Sequence, residues 1–259
     1  MKSATKPGPL LREWRERRRM TQLDLALEAE ISARHLSFVE TGRSQPSREM
    51  LLHLSEQLQI PLRDRNLLLV SAGFAPMFPE RSLEDPDMTA ARRAVDLVLE
   101  AQKPFPAFAL DRHWNMVASN GALPGLYDGV APELLKPPIN ALRLSLHPKG
   151  VAPRIANLAE WQAHLLARLR RQIDLTADPV LVELLKEVTA YRAPVSTDTM
   201  DYAIVVPFKI STPAGVLSFF STTTVFGTPV DITLSELAIE SFFPADAASA
   251  DAVRRLAAS

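Results

Sequence analysis

The sequence predicts two domains: an all-α N-terminal domain of five helices, followed by an α+β domain with one antiparallel sheet and helices packed on one face. Three observations support this prediction. Apolar residues recur at helical spacing between capping residues up to Gly73. Residues 76–87 carry proline and charge without a period, so they are read as a linker between domains at 1–75 and 88–259. Two pairs of β-rich runs then flank a block of helical segments.

Composition places the chain among ordinary globular proteins. It has 259 residues, of which 47% are hydrophobic, and its formal net charge is −1. Cysteine is absent, which excludes a disulfide framework and thiolate chemistry and suits a cytoplasmic location. No apolar run approaches the ~18 residues of a membrane span, and no signal-peptide pattern opens the chain. Neither export nor membrane insertion is expected.

The first helix is expected to begin after Pro9 and to carry Leu10, Leu11 and Trp14 inward. Its arginines make the N-terminal end basic, and we expect them to flank a DNA-binding side. Arg15 is the exception. We expect it to pair with Glu40 near the inner edge of the third helix, because a lone buried carboxylate would be costly.

Two short helices joined at a tight corner follow between residues 20 and 43. The second helix has Thr21 as its N-cap and Asp24 in its first turn, and its predicted apolar face consists of Leu23, Ala26 and Leu27. The third helix runs from about Ala33 to Thr41, between the N-cap Ser32 and Gly42. Two capped helices this closely coupled, after a basic one, are typical of a helix-turn-helix that binds DNA.

The outward face of the third helix is the candidate base-reading surface. A turn of about 100° per residue puts Leu36 and Val39 inside. Four residues lie opposite them: Arg34, Ser37, Phe38 and Thr41. Arg34 could bond a guanine edge, Ser37 could bond several bases, and Phe38 could rest against a thymine methyl group. A merely solvated face is the alternative for any single amphipathic helix.

A fourth helix capped by Ser47 and a fifth from Pro61 to about Ala72 complete a small domain. One such domain covers little DNA, and selective binding usually needs two copies spaced by about one turn. We therefore expect a homodimer on double-stranded DNA.

A family resemblance is carried by TQLDLA, SARHLSFVETGR and PSREMLLHLSEQL, which resemble the Xre/Cro-type helix-turn-helix regulators. The run over residues 34–76 looks like the MmyB-like branch. The resemblance implies that Gln22 bonds a phosphate and that Ala33, Arg34 and Phe38 face bases. Because Ala33 and Phe38 are apolar, hydrogen-bonded readout rests mainly on Arg34. Three further residues are candidate phosphate contacts: Thr41, Arg43 and Arg48.

The second domain is predicted from alternating helical and β-rich segments. Helices are expected over 88–102, 140–146, 153–173 and 179–191. Hairpins are expected from runs 105–111 with 114–120, and 202–210 with 216–226. Thr233 and Glu236 form a capping-box pattern that predicts a closing helix through Phe242.

Residues 110–127 resemble the opening of a PAS domain, and residues 140–172 and 217–246 resemble the MmyB-like ligand-binding domain. This implies a transcription regulator whose PAS-like C-terminal domain holds a small apolar molecule, with fatty acid a reported ligand type. Four aromatic residues are wall candidates, although such residues are more often core: Phe108, Trp114, Trp161 and Phe219. Arg154 is the first candidate for a carboxylate anchor and His147 the second, since both lie in a loop broken by proline and glycine. The rivals, expected to form a solvated face, are Arg168, Arg170 and Arg171.

No constellation for catalysis is found. The sequence contains no GxGxxG, P-loop or GxSxG pattern, and the three histidines at 113, 147 and 164 lack metal-ligand spacing. We therefore expect no enzyme activity, metal or cofactor beyond a bound fatty acid. A purely dimerising C-terminal domain without a ligand is the main alternative.

Overall fold

The computed structural model describes residues 6–122, 126–191 and 205–258. The chain forms two compact units, of which the first holds most of the residues up to Arg81 and the second most of the remainder. In the part of the chain so described, no helix combines the length and apolarity needed to cross a membrane.

Up to Ser71, the first unit contains five helices in the predicted order. They are α1 (Pro7–Arg17), α2 (Gln22–Glu28), α3 (Ala33–Glu40), α4 (Arg48–Gln57) and α5 (Leu62–Ser71). Helix α1 begins earlier than predicted, at Pro7 and not after Pro9. Proline is well suited to the first helical turn, because its fixed φ is helical and its missing N–H would have no partner there.

Side-chain caps start the three middle helices at the predicted residues. Thr21, Ser32 and Ser47 each accept a hydrogen bond from the backbone N–H three residues later, at 3.1 to 3.2 Å. Asp24 completes the box on α2 by accepting the Thr21 N–H at 2.8 Å. The hydrogen bonds from Thr21 lower the pKa of Asp24. Each cap satisfies an N–H that the helix itself leaves without a partner.

The apolar face predicted for α2 is confirmed at Ala26 and was wrong at Leu23 and Leu27. Leu23 and Leu27 are 59% and 69% exposed, whereas Leu25 and Ala26 are buried. Helix α2 is only seven residues long, and more than one set of its apolar side chains fits a helical period. Its buried residues join one core with Leu11 and with side chains of α3, α4 and α5. Neighbouring helices, which the local pattern does not contain, therefore decide which face is inside.

The predicted pairing of Arg15 with Glu40 is confirmed. Arg15 Nε donates to Glu40 Oε1 at 2.6 Å and Nη2 donates to Oε2 at 2.9 Å, and the two residues are only 7% and 4% exposed. Arg15 Nη1 also donates to the Met20 carbonyl at 2.8 Å. The hydrogen bond to Glu40 raises the pKa of Arg15. This bidentate pair joins α1 to α3 inside the unit.

The second unit contains a five-stranded antiparallel sheet. Its strands are β1 (Ala107–Leu110), β2 (Met116–Ser119), β3 (Phe208–Thr212), β4 (Gly215–Val225) and β5 (Ala238–Pro244), in the order β2-β1-β5-β4-β3. Both predicted hairpins, β1 with β2 and β3 with β4, are confirmed. Positions 202–204 of the predicted run 202–210 lie outside the described residues.

The other elements of the second unit follow in chain order. They are α6 (Thr89–Ala101), α7 (Ala141–Leu146), α8 (Leu158–Thr176), α9 (Pro179–Thr189) and α11 (Ala247–Ala258). A one-turn α10 (Ile232–Ser235) precedes β5 in the chain and belongs to the first unit. Helix α8 begins at Leu158, later than predicted, because the chain before it makes a bridge from Ile155 to Ile210 of β3.

The predicted closing helix through Phe242 was wrong. The side chain of Asp231, two residues before Thr233, accepts the Thr233 N–H at 2.9 Å, and the helix ends after one turn. The chain then becomes β5, which lies at the centre of the sheet between β1 and β4. Pairing on both sides stabilises this strand, and such pairing is a nonlocal property.

Helices cover both faces of the sheet, not one face as predicted. Phe108 and Leu110 of β1 belong to the core that includes Trp161 of α8. Ala107 and Ala109, which alternate with them, belong to a smaller core with side chains of α6. Because successive side chains of a strand point to opposite faces of the sheet and both faces are covered, all four residues of β1 are buried.

Replacing Glu40 with Ala is expected to lower the free energy of opening α1 and α3 by about 3–5 kcal/mol, because Arg15 is left buried without its counterion. Amide hydrogen exchange of the full chain measures this quantity. Glu28→Ala, at an exposed site on α2, is the control and should change the value by less than about 0.5 kcal/mol. Equal effects of the two substitutions would contradict a structural role for the pair.

Candidate nucleic-acid interface and ligand site

The outer surface of α3 presents the predicted residues on one side. Arg34 and Thr41 are exposed, and Ser37 and Phe38 are partly exposed. Leu36 and Val39 are buried on the opposite side, as predicted. The Ala33 side chain packs partly against the core and contributes little to the outer surface. The helix therefore offers Arg34 as its most exposed hydrogen-bond donor.

The end of α3 brings Arg43 close to Phe38. Gly42 takes a left-handed conformation with φ of 73°, its N–H donates to the Val39 carbonyl at 3.1 Å, and the Arg43 N–H donates to the Phe38 carbonyl at 2.8 Å. These two bonds are those of a Schellman motif, which closes the last helical turn. The chain reverses here, so the residue after the glycine lies beside the last turn of α3.

Two guanidinium groups lie over one aromatic ring at this surface. The Cζ atom of Arg34 is 5.4 Å from the centroid of the Phe38 ring, and the Cζ atom of Arg43 is 5.9 Å from it. Both distances are within the range of a cation–π interaction. Phe38 thus contacts one cation from the start of α3 and one from the loop after it.

The candidate phosphate contacts differ in how many of their hydrogen-bond donors are already used within the chain. Gln22 Nε2 donates one hydrogen to Glu40 Oε2 at 2.8 Å, which orients the amide and leaves its second N–H. The Thr41 hydroxyl donates to the Ser37 carbonyl at 2.7 Å, so a phosphate contact from Thr41 requires the hydroxyl to rotate. Arg43 and Arg48 are exposed. These roles remain predictions.

The arginines of α1, and Arg18 in the turn after it, which the sequence analysis expected to flank DNA, have partners within the chain, and their role toward DNA remains a prediction. Arg12 pairs with Glu16 and Arg17 with Glu13, each at 2.7 Å along the same helix. Arg18 Nε donates to the Leu58 carbonyl at 2.8 Å. With Arg15 paired inside, most of this positive charge is neutralised or used within the unit.

In the second unit, the four aromatic wall candidates belong to one buried core, and three of them are linked by ring contacts. Phe108 and Phe219 each contact Phe242, with ring centroids 5.7 and 6.5 Å apart. Trp161 contacts Phe208 at 5.1 Å, and Phe208 contacts Phe242 at 5.7 Å. All five side chains are buried. The cluster forms the apolar surface between α8 and the sheet.

The two predicted carboxylate anchors are occupied by contacts within the chain. Arg154 donates to three backbone carbonyls, those of Ser211, Leu126 and Asp128, at 3.0 to 3.2 Å. His147 Nδ1 accepts the Lys149 N–H at 3.0 Å. Arg154 thus ties the loop before α8 to β3 and to the segment at Leu126. Its role toward a ligand remains a prediction.

Arg168 is not the solvated side chain that the sequence analysis expected. It makes a bidentate pair with Glu240 of β5, Nη1 to Oε1 at 2.8 Å and Nη2 to Oε2 at 2.9 Å. Glu240 is only 3% exposed and also accepts the Thr223 hydroxyl at 3.1 Å. The fourth wall candidate, Trp114, lies beneath this group, with Arg168 Cζ 5.1 Å from its ring centroid. Arg170 and Arg171 are exposed as expected.

His113 has a structural partner in Asp178. His113 Nε2 lies 3.0 Å from Asp178 Oδ2, and the same oxygen accepts Arg112 Nη2 at 2.9 Å. Burial opposes ionisation of Asp178, but hydrogen bonds from Val180 and His113 and the charge of Arg112 hold its pKa below the usual value. Within residues 6–122, 126–191 and 205–258, no three His, Asp or Glu side chains are grouped so that they could hold a metal ion.

Comparison with known families covers most of the chain. The model described as the MmyB-like transcription regulator ligand binding domain matches residues 91–256, and a helix-turn-helix model matches residues 11–64. The second match includes α2, α3 and their connection, and the first includes the whole sheet. No curated protein matches the chain.

Replacing Gly42 with Ala should destabilise the end of α3 by about 1–2 kcal/mol, because an L-residue at this positive φ is strained. The substitution causes no clash, since nothing lies within 4 Å of an added Cβ. Hydrogen exchange at the Arg43 amide reports the opening of the motif. Gly42→Asn is the matched control and should cost less, because asparagine tolerates this conformation. An Ala variant as protected as the Asn variant would contradict the assigned strain.

Proposed function

The chain belongs to the MmyB-like transcription regulators, and we propose that it is a homodimer that reads a specific DNA sequence through α3 and responds to a fatty acid. The domain pair supports a ligand-regulated transcription regulator. The proposal adds the reading helix, the ligand class and the oligomeric state.

The exposed face of α3 is the observation that carries the DNA part of the proposal. Arg34 extends from the N-terminal half of this helix, where helix-turn-helix proteins contact base edges in the major groove. A guanidinium donates two parallel hydrogen bonds to the O6 and N7 atoms of guanine. Ser37, one turn further along, offers a hydroxyl that pairs with several bases. Arg34 therefore supplies most of the sequence preference.

Phosphate contacts fix the orientation of α3 on the duplex. The second amide hydrogen of Gln22 is available for a phosphate oxygen while the first is held by Glu40. Because Glu40 also holds Arg15, this contact is tied to the internal support of α3. Arg43 and Arg48 add positive charge at the other end of the helix and at the start of α4. Such contacts strengthen binding without reading sequence.

The homodimer follows from the size of the reading surface. One exposed helix of eight residues contacts only a few base pairs, whereas selective regulators usually bind two half-sites about one DNA turn apart. Two copies of α3 spaced in this way would recognise a symmetric operator.

The aromatic cluster supports an apolar ligand. Phe108, Trp161 and Phe219 line one surface between α8 and the sheet, and an alkyl chain would pack against such rings. A carboxylate head needs a cation at the border of this surface. Arg168 contacts the ring of Trp114 and already binds one carboxylate, that of Glu240. We propose Arg168 as the anchor ahead of Arg154, because the Arg168 guanidinium lies against the ring of Trp114, whereas Arg154 bonds backbone carbonyls.

Regulation requires that the ligand prefer one arrangement of the dimer. A ligand that bound both arrangements equally would leave DNA affinity unchanged. A fatty acid that binds between α8 and the sheet must displace packed side chains there, so the bound and free domains differ in structure. This difference could alter the spacing of the two α3 helices.

Arg34→Ala is expected to cost about 1–3 kcal/mol on a selected duplex and to relax the preference at one base pair. Arg43→Ala should weaken selected and random duplexes about equally and reduce the salt dependence of binding by about one ion. Fluorescence anisotropy at several salt concentrations measures both. If Arg34→Ala lost equal affinity on both duplexes, the assignment of Arg34 to a base would be wrong.

A saturated fatty acid of roughly 12 to 18 carbons should bind the full chain and change its affinity for the selected duplex at least severalfold. Native mass spectrometry and DNA titration provide the two readouts. The double variant Arg168→Gln with Glu240→Gln removes the proposed anchor without leaving a buried charge, and Arg170→Gln is the exposed control.

Loss of fatty-acid binding in the double variant alone supports the anchor. If the wild type and the double variant bind the fatty acid equally well, its carboxylate head group binds at a site other than Arg168. Binding without any change in DNA affinity removes the regulatory part of the proposal, and no binding at all favours a C-terminal domain that only dimerises.

A further inference from the structure

We infer that Phe38 is a positioning residue whose ring holds the guanidinium groups of Arg34 and Arg43 over the DNA-reading surface, and that it does not itself read thymine. This inference rests on the proposed function, because it assigns roles relative to Arg34 as a guanine reader. It deepens that function by naming what sets the direction of the reading side chain.

The geometry of the free protein supports this role. Arg34 lies one turn before Phe38 on α3, and its Cζ atom is 5.4 Å from the ring centroid. Arg43 reaches the same ring from the loop, at 5.9 Å, because the bond from its N–H to the Phe38 carbonyl folds the chain back. Phe38 is therefore the shared neighbour of one proposed base contact and one proposed phosphate contact.

Stacking and base recognition use different parts of a guanidinium. The π interaction uses the charge and the flat face of the group, whereas its N–H donors lie in its plane. An arginine packed on the ring can therefore still donate both hydrogen bonds to a guanine. An unsupported arginine must lose the freedom of several side-chain torsions on binding, and the ring removes part of this cost before DNA arrives.

The alternative role makes a different demand on the side chain. A contact with a thymine methyl group needs only an apolar surface of suitable size, which leucine also provides. A cation–π contact needs an aromatic ring, which tyrosine provides and leucine does not. Phe38→Leu and Phe38→Tyr therefore separate the two roles. Phe38 is only partly buried on the outer face of α3, so neither substitution disturbs the core.

The test measures binding of the full-length variants to the selected duplex and to duplexes with each base pair changed in turn. Phe38→Leu should reduce discrimination at the guanine that depends on Arg34 by about 2- to 5-fold, the equivalent of one exposed cation–π contact. Phe38→Tyr should retain it. In an Arg34→Ala background, Phe38→Leu should cause no further loss at that guanine, since the group it positions is gone.

Other outcomes overturn the inference in distinguishable ways. Unchanged guanine discrimination in Phe38→Leu, with a loss confined to one thymine, would make Phe38 a base reader. Equal loss of discrimination in the Leu and Tyr variants would show that the ring face is not the important feature. If wild-type protein selects no duplex, the proposed function fails and this inference fails with it. If it selects one but Arg34→Ala leaves every base preference unchanged, the assignment of Arg34 fails.

Discussion

The DNA-binding unit of the molecule depends on one buried ion pair. Arg15 and Glu40 have both been taken out of water, and their two short hydrogen bonds offset the loss of hydration only while both partners are present. The pair fixes α3 against α1, and a third hydrogen bond to Glu40, from Gln22, extends the same constraint to α2. The outer face of α3 is thus rigidly supported from inside, which is what a surface that reads hydrogen-bond patterns requires.

Positions that depend on local chemistry could be predicted from the sequence. The caps Thr21, Ser32 and Ser47 and the left-handed Gly42 were predicted correctly, because each is decided within a few residues. The incorrect predictions concern segments whose structure is decided by residues distant in the sequence. The local pattern of Thr233 and Glu236 is that of a helix start, but pairing with β1 and β4 makes the following residues a strand. Helix propensity is a small term compared with the stability of a strand paired on both sides.

Because β5 was predicted as a helix, the ion pair between Arg168 of α8 and Glu240 of the sheet could not be predicted either. In the helix that the sequence suggested, Glu240 would be an ordinary polar residue, and Arg168 would be one of several solvated cations. On β5, Glu240 points to the same face as Phe242 and becomes buried, so it requires a cation. A correct strand assignment would have revealed the need for Arg168. The contact of Arg34 with Phe38 could have been predicted, since the two residues are one turn apart on the predicted helix. The contact of Arg43 with the same ring depends on the turn after α3.

The central claim is that α3, supported by the Arg15–Glu40 pair, lies in the major groove with Arg34 at a guanine. Dimethyl sulfate methylates guanine N7 in that groove, so protection of a selected duplex tests the claim most directly. Wild-type protein should protect one guanine in each half-site, and Arg34→Ala should expose that guanine at a concentration where the duplex is still fully bound. Bound duplex with every guanine N7 as reactive as in free DNA would contradict the account.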